Sequence, residues 1–511
     1  MPDTDLYAAY KTVPDVPPSK TKRWHLYGAG LENVGRNGAP ETVPLPEPGD
    51  REIVVRHDAV GICYSDIKIV NLGGDHPRLI GRDLAANPVV MGHEVALTVV
   101  NVGAGVADRF APGDRFIVQA DVYYKGKNLA YGYALAGGMA QYGIVTEEVL
   151  SGDEGCYLLP IKGETGYAEA ALVEPWACVE AAYHWTQPEG GGEIIFNTGS
   201  SSIHIRGNDN FDTDLAFTKT PAAEVFEQRT ARLGKNALVQ LSFQEPMSRP
   251  VQIDVGRVHY DGWLLTGAEE NKRSDLLPGG ITWMIGAAGP MGQMHVARAI
   301  GLPEPPRKIV CTDRNDLRLQ TLQDNLGDLA RERGIELVCL NVRDTAPDHV
   351  TLAPDGYNDI VVMVPSIEAI EDGFPRLAHS GVMNVFAGVA RGTMATLDIS
   401  DVATKNVRIV GTSGSTIEDM RRTRDLMEAH QLDTGASVAA IGGLEAYRDG
   451  LDAVKTSRFP GKTVIFPQIE GLPLTALPDL QTVRPHVFSK LKNGKFWTHD
   501  AEAELLKEAV R

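Results

Sequence analysis

The sequence predicts a two-domain α/β protein. A small all-β barrel is joined to a parallel sheet covered by helices, and a partial copy of that sheet is inserted between them. Three observations carry the prediction. Between about Arg51 and Val149, short Val/Ile-rich runs such as EIVVRHDAVGI and VALTVVNVGAGV are punctuated by Gly, Pro and Asp, as in small β domains. From Gly279 onward strands alternate with helices, beginning with ITWMIG, the turn AAGPMG and the helical MHVARAIG. Such alternation implies a parallel sheet with both faces covered. The stretch between about Gln187 and Leu277 fits neither neighbour and echoes later parts of the chain.

Taken in order, the first 20 residues are polar and Pro-rich; they read as a loose arm without the apolar core of a signal peptide. After the barrel, YAEAALVEPWACVEAAYHW (167–185) places Ala, Leu and Glu at helical spacing. In the inserted stretch, GGEIIFNTGSS (191–201) echoes GGITWMIGAAG (279–289), and the segment 214–243 echoes 359–387. A constant offset of 144 carries Arg232, Leu233, Asp254, Val258 and Gly267 onto Arg376, Leu377, Asp398, Val402 and Gly411. The shared strand–helix–strand order reads as a degenerate copy of half a nucleotide-binding domain. It lacks a Gly-x-x-Gly turn after its first strand, so no dinucleotide is expected there. The main sheet continues through KIVCTD, ELVCLN, DIVVMVP, VMNVFAG and VRIVGT, and the tail returns to mixed structure. The expected divisions are 1–187, 188–277 (the insertion), 278–414 and 415–511.

Composition narrows the function. Lys plus Arg number 49 against 67 Asp plus Glu, a net charge of −18, which argues against a nucleic-acid surface. No apolar run approaches the roughly 18 residues a membrane span requires, and mean hydropathy is −0.16. Five widely spaced cysteines make a disulfide framework improbable and point to a reducing, cytoplasmic setting.

Two constellations carry chemistry. The first is GAAGPMG (286–292), where Gly286, Ala287, Gly289, Pro290, Met291 and Gly292 join a strand to a helix. Gly289 and Gly292 allow a tight turn and close approach of backbone to a pyrophosphate seated on the helix N-terminus. Asp313, 21 residues after Gly292, stands where a carboxylate accepts hydrogen bonds from an adenosine ribose. It would repel a 2′-phosphate, favouring NAD over NADP, although Arg314 beside it works against that choice. The second is GICYSD (61–66), MGHEV (91–95) and VEPWAC (173–178). Singly, Cys63 reads as a buried thiol, His93 as a core histidine and Glu174 as a carboxylate at a helix start. Together, Cys, His and Glu are the ligand types of a catalytic zinc, which takes about three protein ligands and keeps an open position.

With G-I-C-x-S-D, G-H-E-V, V-G-A-G-V, G-D-R-F, L-V-E-P and G-x-x-G-P-x-G in place, the sequence resembles the zinc-dependent medium-chain alcohol/polyol dehydrogenases over about 24–185 and 278–511. It looks most like their sugar-phosphate branch, the L-sorbose-1-phosphate reductase-like proteins, through GYALAGGMAQYGIV, GTSGSTIEDM, IGGLEA and GKFWTHDAEAELL. The resemblance implies a GroES-like β-barrel closed by C-terminal elements, a Rossmann domain carrying the degenerate insertion, and an active site between barrel and Rossmann domain. It makes Cys63 and His93 zinc ligands, Glu94 the third, and Glu174 a ligand or the holder of the zinc-bound water. Ser65 corresponds to the hydroxyl that takes the substrate proton, and Arg318 to a contact on the adenosine side. Zinc would polarise the alcohol oxygen while hydride passes to the nicotinamide.

Two departures stand out. Many relatives bind a structural zinc through four close cysteines, whereas Phe116–Val145 holds none, so a single catalytic zinc is expected. Lys68 stands where many relatives have a relay histidine; it reads as a ribose or phosphate contact, or as a solvated lysine. Tyr123, Tyr124, Tyr131, Tyr133 and Tyr142 cluster nearby and read more readily as packing than as sugar-stacking residues, and Lys125 and Lys127 as surface lysines rather than phosphate contacts. The reading is an NAD-dependent zinc dehydrogenase of a polyol, sugar or sugar phosphate, forming a homodimer or homotetramer, with the insertion as an oligomer contact. A non-catalytic NAD-binding or assembly protein with a decayed site is the competing class, and a zinc-free quinone reductase ranks last.

Overall fold

The computed structural model describes residues 3–14, 16–79, 81–184, 194–198, 201–207, 212–267 and 273–510. The chain divides into two compact units, Met1–Ala177 with Ser415–Arg511, and Cys178–Gly414. The expected boundary at 187/188 lies outside the described residues. Among the described residues no helix is long and apolar enough to cross a membrane.

The arm at the N-terminus is not loose. Asp3–Lys11 forms helix α1, and Tyr10 is buried with its hydroxyl donating to Asp58 at 2.7 Å. The reason lies in the strand beneath it. β1 (Ile53–Ile62) is buried along its whole length despite carrying Arg56, His57 and Asp58, and buried charges must be paired. Asp58 accepts from Arg56, Tyr10 and Thr98, while Arg56 donates to the Tyr10 carbonyl. The arm thus completes a polar network that short-range sequence patterns do not reveal.

β1 pairs antiparallel with β2 (Glu94–Val102), and β3 (Arg115–Val118) continues the sheet. β4 (Tyr142–Val145) pairs with the first half of β1, and β5 (Leu158–Pro160) with β3. Helix α2 (Tyr64–Leu72) leaves the end of β1, its first turn held by the Asp66 carboxylate accepting from the Cys63 amide at 2.9 Å. Helix α3 spans Val173–Ala181.

The second unit is built on one eleven-stranded sheet. In chain order its members are β6 (Ile194–Thr198), β7 (Ser201–Gly207), β8 (Asp212–Phe217), β9 (Leu233–Leu241), and, after the separate β10 (Val251–Asp254), β11 (Leu264–Gly267). They continue with β12 (Ile281–Ile285), β13 (Lys308–Asp313), β14 (Glu336–Asn341), β15 (Tyr357–Val362), β16 (Leu377–Val385) and, beyond β17 (Met394–Leu397), β18 (Arg408–Val410). The order across the sheet is β6-β7-β8-β9-β11-β18-β16-β15-β12-β13-β14. The run from β14 to β18 is parallel throughout. Its order reverses between β12 and β15, the place where doubly wound sheets take ligands.

The insertion does not stand apart: it extends this sheet. Moving 144 residues along carries β9 onto β16 end to end, and brings β8, β10 and β11 onto β15, β17 and β18. Helices α4 (Ala223–Thr230) and α5 (Val255–Tyr260) match α7 (Ile367–Gly373) and α8 (Ser400–Thr404), with α6 (Pro290–Gly301) between them in sequence. One hydrophobic core runs through both halves, joining Phe217, Val239 and Leu265 to Val362, Val385 and Ile409. The first echo behaves differently. Ile194–Thr198 pairs antiparallel with β7 and not with β8, so it does not take the place that β12 holds beside β15.

The tail returns to the first unit. β19 (Val438–Gly443) and β20 (Lys462–Phe466) pair parallel, and β20 pairs antiparallel with the end of β1, Thr463 opposite Ile62.

Candidate metal centre and dinucleotide turn

Strand pairing assembles the candidate metal centre. β1 and β2 place Gly61 opposite Glu94, so Cys63, just past the end of β1, meets His93, just before β2. The ligand atoms of Cys63, His93 and Glu94 all lie within 4.8 Å of one another. The glycines of both motifs are required by this approach. A Cβ on Gly61 would stand 2.0 Å from Glu94 Oε2, and Gly92 sits at φ +94°, where its Cβ would press on Val60 and Met139.

The surroundings are polarised for a cation. Asp66, fully buried, faces His93 Nδ1 at 3.3 Å while its other oxygen takes the Cys63 amide. Burial disfavours the His93 imidazolium, but the Asp66 carboxylate outweighs it and holds the pKa well above the ordinary value. His93 Nε2 lies 3.2 Å from Ser65 Oγ, so Ser65 stands beside the ligand set. Glu94 is fully buried; its Oε1 takes a 2.5 Å hydrogen bond from Lys462 Nζ, and its Oε2 accepts none. A buried carboxylate oxygen without a donor beside a thiol and an imidazole fits a divalent metal of zinc's ligand preference. Burial pushes the Glu174 carboxyl up to about 7, with His93 pulling it down and Glu94 pushing it up, so Glu174 stands within electrostatic reach of the set.

Three neighbours of this centre, Asp66, Lys462 and Arg78, are not singled out by the sequence, and a fourth, Tyr133, is expected from it only to pack. Asp66 sits inside the GICYSD motif, where its position at the third residue of a helix was the available signal. Lys462 belongs to β20; it also donates to the Ile62 carbonyl, and no local pattern links it to Glu94 across 368 residues. Tyr133 is buried with its ring 5.6 Å from that of His93 and 5.5 Å from that of His76. Arg78 lies over Tyr133 and pairs with Asp121 at 2.6 Å. Burial, then the charges of Arg78 and Lys68, hold the His76 imidazole below its ordinary value. Lys68 is exposed on α2, in the turn after Ser65. Of the other tyrosines, Tyr131 hydrogen-bonds His57, while Tyr123 and Tyr124 form a hairpin with Lys127 and Asn128 through a Lys125-Gly126 turn at positive φ.

In the second unit the three glycines of GAAGPMG play three different parts. Gly286 turns at φ +80° against Val364. Gly292 packs α6 onto the turn, where a Cβ would meet the Gly286 and Ala287 carbonyls at 2.5 Å. Gly289 has open space where its Cβ would be, its nearest neighbour 3.9 Å away. That vacancy faces the N-terminus of α6, which Pro290 begins, and it suits the close approach of a pyrophosphate. Ala287 is buried, and Met291 stands partly exposed in the first turn of α6. Asp313, at the end of β13, accepts from the amides of Ala288, Arg314 and Asn315. Arg318 is partly buried within electrostatic reach of Asp313. A cavity of about 810 Å³ opens at the carboxyl ends of β13, β15 and β16, lined by Arg314, Ser366, Glu368, Gly388 and Thr393 among others.

Residues 49–180 match the alcohol dehydrogenase GroES-like domain. The chain is similar to a mannitol-1-phosphate 5-dehydrogenase of Aliivibrio fischeri, 27% identical over 91% of this chain and 94% of that protein. It is also similar to an L-sorbose 1-phosphate reductase of Klebsiella pneumoniae, 26% identical over 92% and 94%. Among solved structures, 2R,3R-butanediol dehydrogenase from Bacillus subtilis superposes with a TM-score of 0.56 at 16% identity, over 88% of this chain and 99% of that one. Coverage of 91–92% exceeds what the chain outside 188–277 holds, so the two relatives match part of the insertion as well. The chain is an oxidoreductase, and its residues 49–180 carry the alcohol dehydrogenase GroES-like domain.

Proposed function

We propose that the protein transfers hydride between NAD(H) and a secondary alcohol or ketone of a polyol, sugar or sugar phosphate, using one zinc ion. The observation that carries this is the Cys63–His93–Glu94 set, with Cys63 half-buried, His93 and Glu94 buried, and one Glu94 oxygen without a donor. When bound, zinc supplies a Lewis acid at the substrate oxygen and the nicotinamide a hydride acceptor. Cys63 and His93 hold the ion, with Glu94 or Glu174 completing the set. Ser65, beside His93, takes the proton of the substrate hydroxyl. Lys462 offsets the charge of Glu94, and Asp66 fixes the ring of His93. The Gly286–Gly292 turn holds the pyrophosphate, Asp313 the adenosine ribose, and Arg318 the same side.

A phosphorylated substrate is supported by the cations Lys68 and Arg78 on the segment that follows Ser65, with the neutral His76 between them in sequence as a hydrogen-bonding group, and by the names of the two relatives. Metal analysis with a nicotinamide-reduction screen over polyols, ketoses and their phosphates tests the whole reading. Stoichiometric zinc and chelator-sensitive turnover of a polyol or its phosphate are expected; a metal-free protein indifferent to chelators would overturn it. For the phosphate, Arg78→Ala is expected to raise KM for the phosphate ester while leaving that for the free polyol nearly unchanged.

A further inference from the structure

The inserted half-sheet and its parent face one another across a local two-fold axis. β10 and β17 pair antiparallel, Val251 with Leu397 and Ile253 with Ala395, and the 144-residue offset carries the first pair onto the second. Gln252 pairs with Thr396, its own equivalent, and Gln252 Nε2 donates to Thr396 Oγ1 at 2.8 Å. β11 and β18 meet antiparallel through Leu265 and Ile409, again equivalents. The axis therefore passes through both pairs.

Contacts around the axis are reciprocal. A Cβ on Gly267 would stand 2.7 Å from the Val402 carbonyl, and one on Gly411 2.6 Å from that of Val258. Ser400 Oγ accepts from the Met247 amide at 2.9 Å, and in the mirrored place Gly256 lies against the Arg391 amide and the Ala390 carbonyl. The identities Val258/Val402 and Gly267/Gly411 persist for this reason: each copy's backbone fits against the other's. Val258, Leu265, Val402 and Ile409 are all buried.

A two-fold between equivalent surfaces is the symmetry of an isologous contact between two identical chains. We propose that the insertion takes, within one polypeptide, the place of a second copy of the parallel sheet. The edge strand β18 carries its partner on the same chain and is not a contact between chains. The reading assigns the insertion a task different from the oligomer contact expected for it, and it does not depend on the metal, the cofactor or the substrate.

Cysteine cross-linking of the whole protein tests it. Directly opposed residues of an antiparallel pair have Cα atoms about 4.5–5.5 Å apart, within disulfide range, and Gln252 and Thr396 are both exposed. Gln252→Cys, Thr396→Cys and the double variant are oxidised with copper phenanthroline beside the parent protein, which has five cysteines. The double variant is expected to close a bond within one chain, seen as a 252–396 linked peptide at single-chain mass, and both single variants to stay single chains. Covalent dimers of Thr396→Cys alone would place a second copy on the axis and overturn the proposal. A double variant linking only chain to chain would show insertions exchanged between copies, which also overturns it. A double variant that melts like the parent but forms no link at all would remove the juxtaposition itself.

Discussion

Asp66 and Lys462 flank the candidate metal centre, facing His93 and Glu94. Replacing Asp66 by Asn removes the charge facing His93 Nδ1; loss of such an orienting partner lowers metal affinity about 10–100-fold, measurable by chelator competition. Lys462→Met leaves Glu94 buried without its cation, at a cost of about 3–5 kcal/mol. Urea denaturation should show that loss, and Glu94→Gln together with Lys462→Met should recover much of it; a double variant as unstable as Lys462→Met would refute the pairing argument. Elsewhere burial drives the His57 pKa down to about 4, its ring neutral between the Ala140 carbonyl and the Tyr131 hydroxyl. Burial likewise holds His295 at about 3. The unfolded chain protonates both near pH 6.5 and the folded chain does not. Stability is then fully present above about pH 6.5 and falls as pH drops toward 4, by up to about 3 kcal/mol per group. A melting series from pH 7.5 to 4.5 tests this, and His57→Gln should flatten its slope. At this scale the ligand types were legible in short motifs, because Cys63, His93 and Glu94 lie in contiguous signatures. Lys462 was not, because the pairing of β20 with β1, and not sequence, brings it in.

Among elements, the turn from β12 to α6 separates binding from folding. Gly289→Ala puts a methyl into open space, so its melting temperature should stay within about 2 °C of the parent, while NADH affinity falls at least about tenfold. Gly292→Ala drives a methyl into two carbonyls at 2.5 Å and should cost about 1–3 kcal/mol of stability as well. Fluorescence titration of NADH beside thermal melts distinguishes the two; equal affinity for Gly289→Ala and parent would show that no pyrophosphate sits there. The turn was readable in advance because a strand, a glycine-rich loop and a helix are all local. The docking of α1 was not, since Tyr10 acts through Asp58, 48 residues away.

For the molecule as a whole, the repeat was half visible. The 214–243 echo marks a true structural equivalent, but the 191–201 echo does not, because a few shared Gly and Ile residues specify a strand and not its neighbour. How the copies face each other could not be read, since the axis is defined by pairs such as Gln252–Thr396 that share no side chain. The symmetry makes a quantitative statement. Gly267→Ala and Gly411→Ala meet equivalent carbonyls and should destabilise by similar amounts, about 1–3 kcal/mol each, in urea denaturation. A large loss for one with none for the other would mean the two halves do not share their load.

The 368-residue separation between Glu94 and Lys462 also sets an order of events at the ribosome. The strands bearing Cys63, His93 and Glu94 are made early, and the entire second unit follows before β20 emerges. At about 5–20 residues per second the interval is roughly 20–70 s. During it Glu94 has no cation to bury against and stays hydrated, so the barrel seam beside β1 remains open. A chain interrupted ahead of β20 cannot close that seam, and arrival of the tail is the step that commits the centre.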